Sequence, residues 1–184
     1  MLQNNRPLKS TIMMEKRKES MAPIENSDSE ILILGTMPGQ ESIDSNEYYK
    51  NEDNLFWDIM FRICDKDWPM FKEAYEEQNY EKRCQLLLQN KIALWDIIES
   101  CEREGNKDSD IQNPKFNDIE KFLKAHPHIQ KILFNGKKAY QYYQKMDIKT
   151  PVECINLQST SPSNQANSFY ILGQWKDAIL GTHS

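Results

Sequence analysis

The stretch Ile31-Leu32-Ile33-Leu34-Gly35-Thr36-Met37-Pro38-Gly39 decides the fold class of this chain. Four consecutive aliphatic residues closed by a glycine predict a strand buried on both faces that stops at a turn. Pro38 has no N–H to offer a ladder and Gly39 favours a bend, so Thr36 to Gly39 reads as the loop beyond that strand. Tyr48-Tyr49 and Asn54-Leu55-Phe56-Trp57 follow. Ligands of open α/β sheets bind beyond the carboxyl ends of the strands. Two tyrosines, an asparagine and a Phe-Trp pair therefore fall where a site is expected. An aromatic face beside a carboxamide suits a flat ligand with polar edges, such as a nucleobase.

Outward from this stretch, the same short apolar run recurs at Lys91 to Asp96, at Lys131 to Phe134 before Asn135-Gly136, and at Val152 to Leu157. Segments of helical periodicity lie between the runs. One opens at Asn54 with Phe56, Met60, Ile63 and Cys64 in phase. Others are expected over Met70 to Gln78, Glu81 to Gln89, Phe116 to Ala125, Lys137 to Met146 and Ser168 to Leu180. Three polar connections remain: Gln40 to Asp53, Glu99 to Lys115 and Gln158 to Asn167. The second is long for a connection and reads as a functional loop. Strands alternating with helices predict an α/β fold, a three-layer α/β/α domain around a central four-stranded parallel sheet.

With 184 residues, the chain is expected to form one domain over residues 22–184, preceded by a polar, flexible tail over residues 1–21. The tail carries the charged cluster Lys16-Arg17-Lys18-Glu19, read as a solvated segment. Ala22-Pro23-Ile24 is expected to tuck against the edge of the core. No apolar run reaches the length of a membrane span, and the first residues lack the apolar core of a secretory signal. A cytoplasmic or nucleoid-associated monomer is expected, not a secreted or membrane protein. Cys64, Cys84, Cys101 and Cys154 stand far apart, with no Cys-x-x-Cys pair, so no metal site is expected and the thiols read as reduced. The net charge of −5 counts against tight DNA binding, because nonspecific affinity for DNA comes mainly from basic contacts to phosphate.

Several of these segments carry a resemblance. The chain resembles the hypoxanthine-DNA glycosylase branch of the uracil-DNA glycosylase superfamily, which has Leu-Ile-Leu-Gly-Ser-Phe-Pro, then Tyr-Tyr, then Asn-Arg-Phe-Trp. The likeness returns, in the family's order, at Ala93-Leu94-Trp95-Asp96, Cys101-Glu102-Arg103, Phe134-Asn135-Gly136-Lys137 and Ser159-Thr160-Ser161-Pro162. It implies a sheet of strand order 2-1-3-4. It further implies a monofunctional glycosylase that flips a deaminated base out of DNA, hypoxanthine first and uracil second, and leaves an abasic site. The partner implied is DNA, and no cofactor is needed.

The resemblance also gives roles to residues. Tyr49, five residues before Asn54, becomes the shelf on which the flipped base stacks; alone it would be a loop tyrosine. Gly35 and Met37 border the base pocket. Many superfamily members carry Asn or Asp at the position of Met37, which cannot orient water. The hypoxanthine branch uses the asparagine of Asn-x-Phe-Trp instead, and that makes Asn54 the catalytic residue. On the residues alone Asn54 reads as the N-cap of the helix starting at Phe56. Asn135 offers one donor and one acceptor, matching the O6 and N1–H edge of hypoxanthine or the O4 and N3–H edge of uracil. Its competing reading is a turn asparagine before glycine. Ser159, Thr160, Ser161, Pro162 and Ser163, with Lys137, are assigned to the DNA backbone. Asp96 is read as structural. The rival to an enzyme is a catalytically inactive nucleic-acid or nucleotide-binding module of the same fold, which Met37 and the acidic charge favour.

Overall fold

A computed structural model describes residues 17–65 and 79–181 of the chain. The helix expected over Met70 to Gln78 and the first part of the tail lie outside the described residues. The elements in order are β1 (Lys18–Glu19), β2 (Ile31–Gly35), α1 (Gln40–Ser45), α2 (Phe56–Cys64), α3 (Tyr80–Gln89), β3 (Ile92–Asp96), β4 (Ile98–Glu102), β5 (Gln112–Phe116), α4 (Ile119–Ala125), β6 (Lys131–Asn135), α5 (Lys137–Lys145), β7 (Glu153–Leu157) and α6 (Ser168–Leu180). Two 3-10 turns, Asp108–Asp110 and Pro162–Asn167, sit in the connections.

The central sheet has the order β3-β2-β6-β7 and is parallel throughout. This is the order implied by the resemblance. Side chains alternate across a pleated strand, and both sides of β2 are covered. Ile33 packs with Trp57, Met60, Leu133 and Trp175 beneath α2 and α6. Leu32 and Leu34 pack with Ile119, Phe134, Ala139 and Tyr143 beneath α4 and α5. A strand with fully buried neighbours on both faces has no polar position to spare, which is why its sequence is an unbroken aliphatic run. Ala22 to Ile24 does tuck against the edge: Ile24 and Leu94 exchange backbone hydrogen bonds of 2.9 and 2.8 Å.

Three expectations are corrected. Lys18, Glu19 and Met21, expected within the tail, join the fold. Lys18 and Glu19 pair antiparallel with Cys101 and Ser100, and Met21 is buried. The Glu99 to Lys115 loop is instead most of a hairpin, β4 with β5, and β1-β4-β5 forms a second, antiparallel sheet. Its strands hold Glu99, Glu102, Gln112, Asn113 and Lys115, so one solvated face hid the pairing. The helix expected from Phe116 starts at Ile119, since Phe116 pairs with Ile98 and Asp118 caps the helix by accepting from Lys121 N–H at 2.9 Å.

Candidate active site

All four parallel strands end at one edge of the sheet. The register pairs Gly35 with Asp96, and Asn135 with Leu157. The connections leaving these ends enclose a cleft of about 690 Å³. Its wall holds Gly35 to Ser42 from the β2–α1 turn, Tyr48, Tyr49 and Asn54 before α2, and Asp96. Asn106 to Ser109 come from the hairpin tip, Asn135 from β6, and Ser159 to Asn164 from the loop after β7. Every residue expected to contact the base or do chemistry therefore lies on one cavity. Ser159, Ser161, Pro162 and Ser163 line it too. Lys137 does not; it is exposed in the first turn of α5.

A chain of hydrogen bonds ties the site together. Asn135 Nδ2 donates to the Tyr49 hydroxyl at 2.8 Å and to Thr160 Oγ1 at 2.9 Å, while Asn135 Oδ1 accepts from Thr160 N–H at 2.9 Å. Thr160 Oγ1 donates onward to Asn54 Oδ1 at 2.8 Å, and the same oxygen accepts from Phe56 N–H at 3.0 Å. Thr160, with 0% of its surface exposed, is thus a hub of hydrogen bonds inside the fold. Asn135, 8% exposed, has both ends of its amide committed. The N-cap position of α2 is Leu55 and no side chain caps it; Asn54 Oδ1 instead accepts from Phe56 N–H one residue further out, and its remaining lone pair takes the Thr160 proton. Its Nδ2 has no hydrogen-bond partner among the described residues and is the end left for the cleft. Gly136 separates Asn135 from α5 at a φ of 100°, a region that glycine enters without strain.

Tyr49 stacks on Phe56 with ring centroids 4.0 Å apart and planes 20° from parallel. Its own φ is 53°, a left-handed conformation that costs a non-glycine residue about 1–3 kcal/mol. Neighbours hold it there: Trp57 Nε1 donates to Tyr48 O at 2.8 Å and Lys50 N–H donates to Ser42 Oγ at 3.1 Å. Burial raises the Tyr49 phenol far above its ordinary value, and the Asp96 carboxylate adds to the rise. The ring is therefore a neutral surface at any physiological pH.

The hairpin supplies residues that the sequence reading passed over. Arg103, whose side chain is fully buried, donates from Nη2 to Pro38 O, anchoring the turn after β2. Its Nη1 stands 3.9 Å from Asp108 Oδ1, and Nε and Nη1 have no hydrogen-bond partner among the described residues. Burial raises the Asp108 carboxyl, opposed by a Thr36 hydrogen bond and by the Arg103 and Lys138 charges. Asp96 is 3% exposed and Ser20 Oγ donates to its Oδ2 at 3.1 Å. The one sequence signal for this cluster was Cys101-Glu102-Arg103, which carries no chemical meaning until the hairpin folds over the cleft.

Residues 22–179 match the model of the uracil DNA glycosylase superfamily. The chain belongs to that superfamily. It is 35% identical over 166 residues to the hypoxanthine DNA glycosylase of Methanosarcina barkeri (strain Fusaro / DSM 804), a match spanning 89% of this chain and 98% of that protein. A hypoxanthine DNA glycosylase of Methanosarcina acetivorans is 32% identical over 162 residues, across 86% of this chain and 96% of its own length. A solution NMR structure of a Methanosarcina acetivorans protein, provisionally assigned as a uracil DNA glycosylase, superposes with a TM-score of 0.74 at 30% identity. It covers 89% of this chain and 97% of the other. The superfamily thus accounts for the parallel sheet. Among the described residues no helix is long and apolar enough to cross a membrane.

Proposed function

We propose that this superfamily member is a monofunctional DNA glycosylase that draws a deaminated base, hypoxanthine first and uracil second, into the cleft and hydrolyses its C1′–N bond, leaving an abasic site. The observation that carries this reading is the chain Tyr49–Asn135–Thr160–Asn54, which ends in an unpartnered amide N–H on the cleft wall. A base must leave the stack before its glycosidic bond can be reached. Tyr49, itself stacked on Phe56, is a rigid aromatic shelf for it. As the bond breaks, the sugar becomes cationic and the base anionic. A fixed amide aimed at the forming anion stabilises it without reorganisation at the moment of reaction. With its oxygen committed, Asn54 acts through this N–H. It holds charge on the leaving base or fixes the attacking water as a donor, and it is not a general base.

The Ser159, Ser161 and Ser163 hydroxyls and the Asn164 side chain form a polar rim with no basic residue, suited to neutral hydrogen bonds with phosphate. Gly35 and Met37 close the floor and wall. The alternative, a binding module without activity, draws on the fully committed Asn135 amide and on the net charge of −5. Incubation with inosine- and uracil-containing oligonucleotides, followed by alkali, separates the two. Alkali-dependent strand scission at the modified base is expected, with none before alkali. Binding of the same oligonucleotides without scission at any enzyme excess would leave the inactive module.

A further inference from the structure

Because both N–H donors of Asn135 are committed within the fold, a base seated in the cleft needs another group to donate to its edge. Asp96 is that group by position. It ends β3 beside Gly35, which has no side chain to cover it. A methyl group placed on Gly35 would meet Asp96 Oδ1 at 2.4 Å and the Tyr49 hydroxyl at 3.1 Å, so the carboxyl oxygen and the aromatic shelf flank one point of the cleft floor. Oδ2 accepts from Ser20, whereas Oδ1 has no hydrogen-bond partner among the described residues. A nearly buried carboxyl with one open oxygen is costly as an anion and useful as a neutral acid.

We propose that Asp96 reads the flipped purine as a neutral carboxylic acid, its Oδ1–H donating to the carbonyl oxygen at C6 that deamination creates; this inference rests on the glycosylase reading above. Adenine carries an amino group at C6, so a donor on the protein faces a donor on the base and the normal base is refused. Hypoxanthine carries an acceptor there and is held. A buried donor left without a partner weakens binding by about 5- to 150-fold, enough to discriminate between two bases of the same shape. An ionised Asp96 would reverse the preference, accepting from an amino group and repelling a carbonyl.

The surroundings favour the acid form. Burial pushes the Asp96 carboxyl up to about 7, opposed by the Ser20 hydrogen bond, assisted by the Asp108 charge and opposed by Arg103. The titratable groups around it are the Tyr48 and Tyr49 phenols, both held neutral by burial, together with Asp108 and Arg103 from the hairpin tip. Lys138 acts on Asp108 rather than on Asp96 directly.

The test is single-turnover excision of hypoxanthine from about pH 5.5 to about pH 9 by the intact protein, Asp96→Asn and Asp108→Asn. The unmodified protein should show a plateau and then fall about tenfold per pH unit above the Asp96 titration. In Asp108→Asn the loss of a neighbouring negative charge should move that fall to lower pH. Asp96→Asn can donate from Nδ2 while its oxygen takes the Ser20 bond, so its profile should stay flat and exceed the unmodified protein at the alkaline end. If Asp96→Asn does not fold, the other two profiles decide. A flat profile for the unmodified protein, an alkaline fall that survives in Asp96→Asn, or a fall unmoved by Asp108→Asn overturns the proposal. Absence of hypoxanthine excision at every pH overturns instead the glycosylase reading beneath it.

Discussion

Replacing Asn54 separates its two ends, because only the oxygen is used by the fold. In Asn54→Ala the Phe56 N–H loses its acceptor, worth about 1 kcal/mol, and the buried Thr160 hydroxyl is left without its acceptor, worth about 1–3 kcal/mol. The combined loss of roughly 2–4 kcal/mol should lower the melting temperature by roughly 5–15 °C for a domain of this size. Asn54→Asp keeps both acceptor contacts and places its negative charge at the start of α2, where the helix field favours it, so its melting temperature should stay near that of the unmodified protein. The Asp variant nevertheless lacks the N–H. Single-turnover excision from an inosine duplex should therefore fall in both variants by about 10²–10³-fold, the usual cost of one preorganised donor. Affinity for the same duplex should change little, because the donor acts mainly as the bond breaks. Calorimetry, rapid-quench kinetics and a binding titration give the three readouts. Full activity in Asn54→Asp would refute the assignment to the N–H. Full activity in Asn54→Ala with a lowered melting temperature would reduce Asn54 to a structural hydrogen-bond acceptor.

Gly35→Ala should lower excision at least tenfold and destabilise the fold by about 1–3 kcal/mol, since its methyl group would sit 2.4 Å from Asp96 Oδ1; denaturant melts and single-turnover rates check both. Tyr49→Ala, unlike Asn54→Asp, should weaken binding of inosine-containing DNA as well as excision, because the stacking surface over Phe56 is lost; unchanged affinity in a fluorescence titration counts against the shelf. Asp96 has its folded pKa raised from 3.8 to about 7, so its contribution to stability is complete below pH 3.8 and is lost as pH rises through about 7. Asp96→Asn should therefore gain stability relative to the unmodified protein across that window and hold the gain above it, as melting curves at a series of pH values will report. Affinity for abasic-site DNA should fall with salt despite the net charge of −5, because Lys107 on the cleft wall and the exposed Lys137 in the first turn of α5 are cations that release counterions when they meet phosphate; a salt-independent constant would argue against DNA as the partner.

The sequence by itself determined the central sheet. Apolar runs such as Ile31 to Leu34 and Ile132 to Phe134 can be satisfied only between two covered faces, and the helical segments between them supply the covers. It also put Asn135 at a strand end and Tyr49 and Asn54 in the connection beyond the first long strand, because strand termini are marked locally by glycine and by loss of the apolar run. Strand order came from likeness to a family, since no local pattern states which strand lies beside which. The small antiparallel sheet was illegible for a related reason. Lys18, Glu19, Ser100 and Cys101 become strands by pairing with each other across more than eighty residues, and half their side chains face solvent. What each site residue does was likewise left to the tertiary structure. Asparagine at position 54 or 135 offers the same donor and acceptor in any context. Only the arrival of Thr160 from the loop after β7 commits the Asn135 amide and the Asn54 oxygen. Asp96 looked structural in sequence because its surroundings were unknown. Burial among β2, Ser20 and the hairpin tip, with one oxygen open beside Gly35, is a property of the packed molecule, and it turns an ordinary strand-end aspartate into a group that can hold its proton near neutral pH.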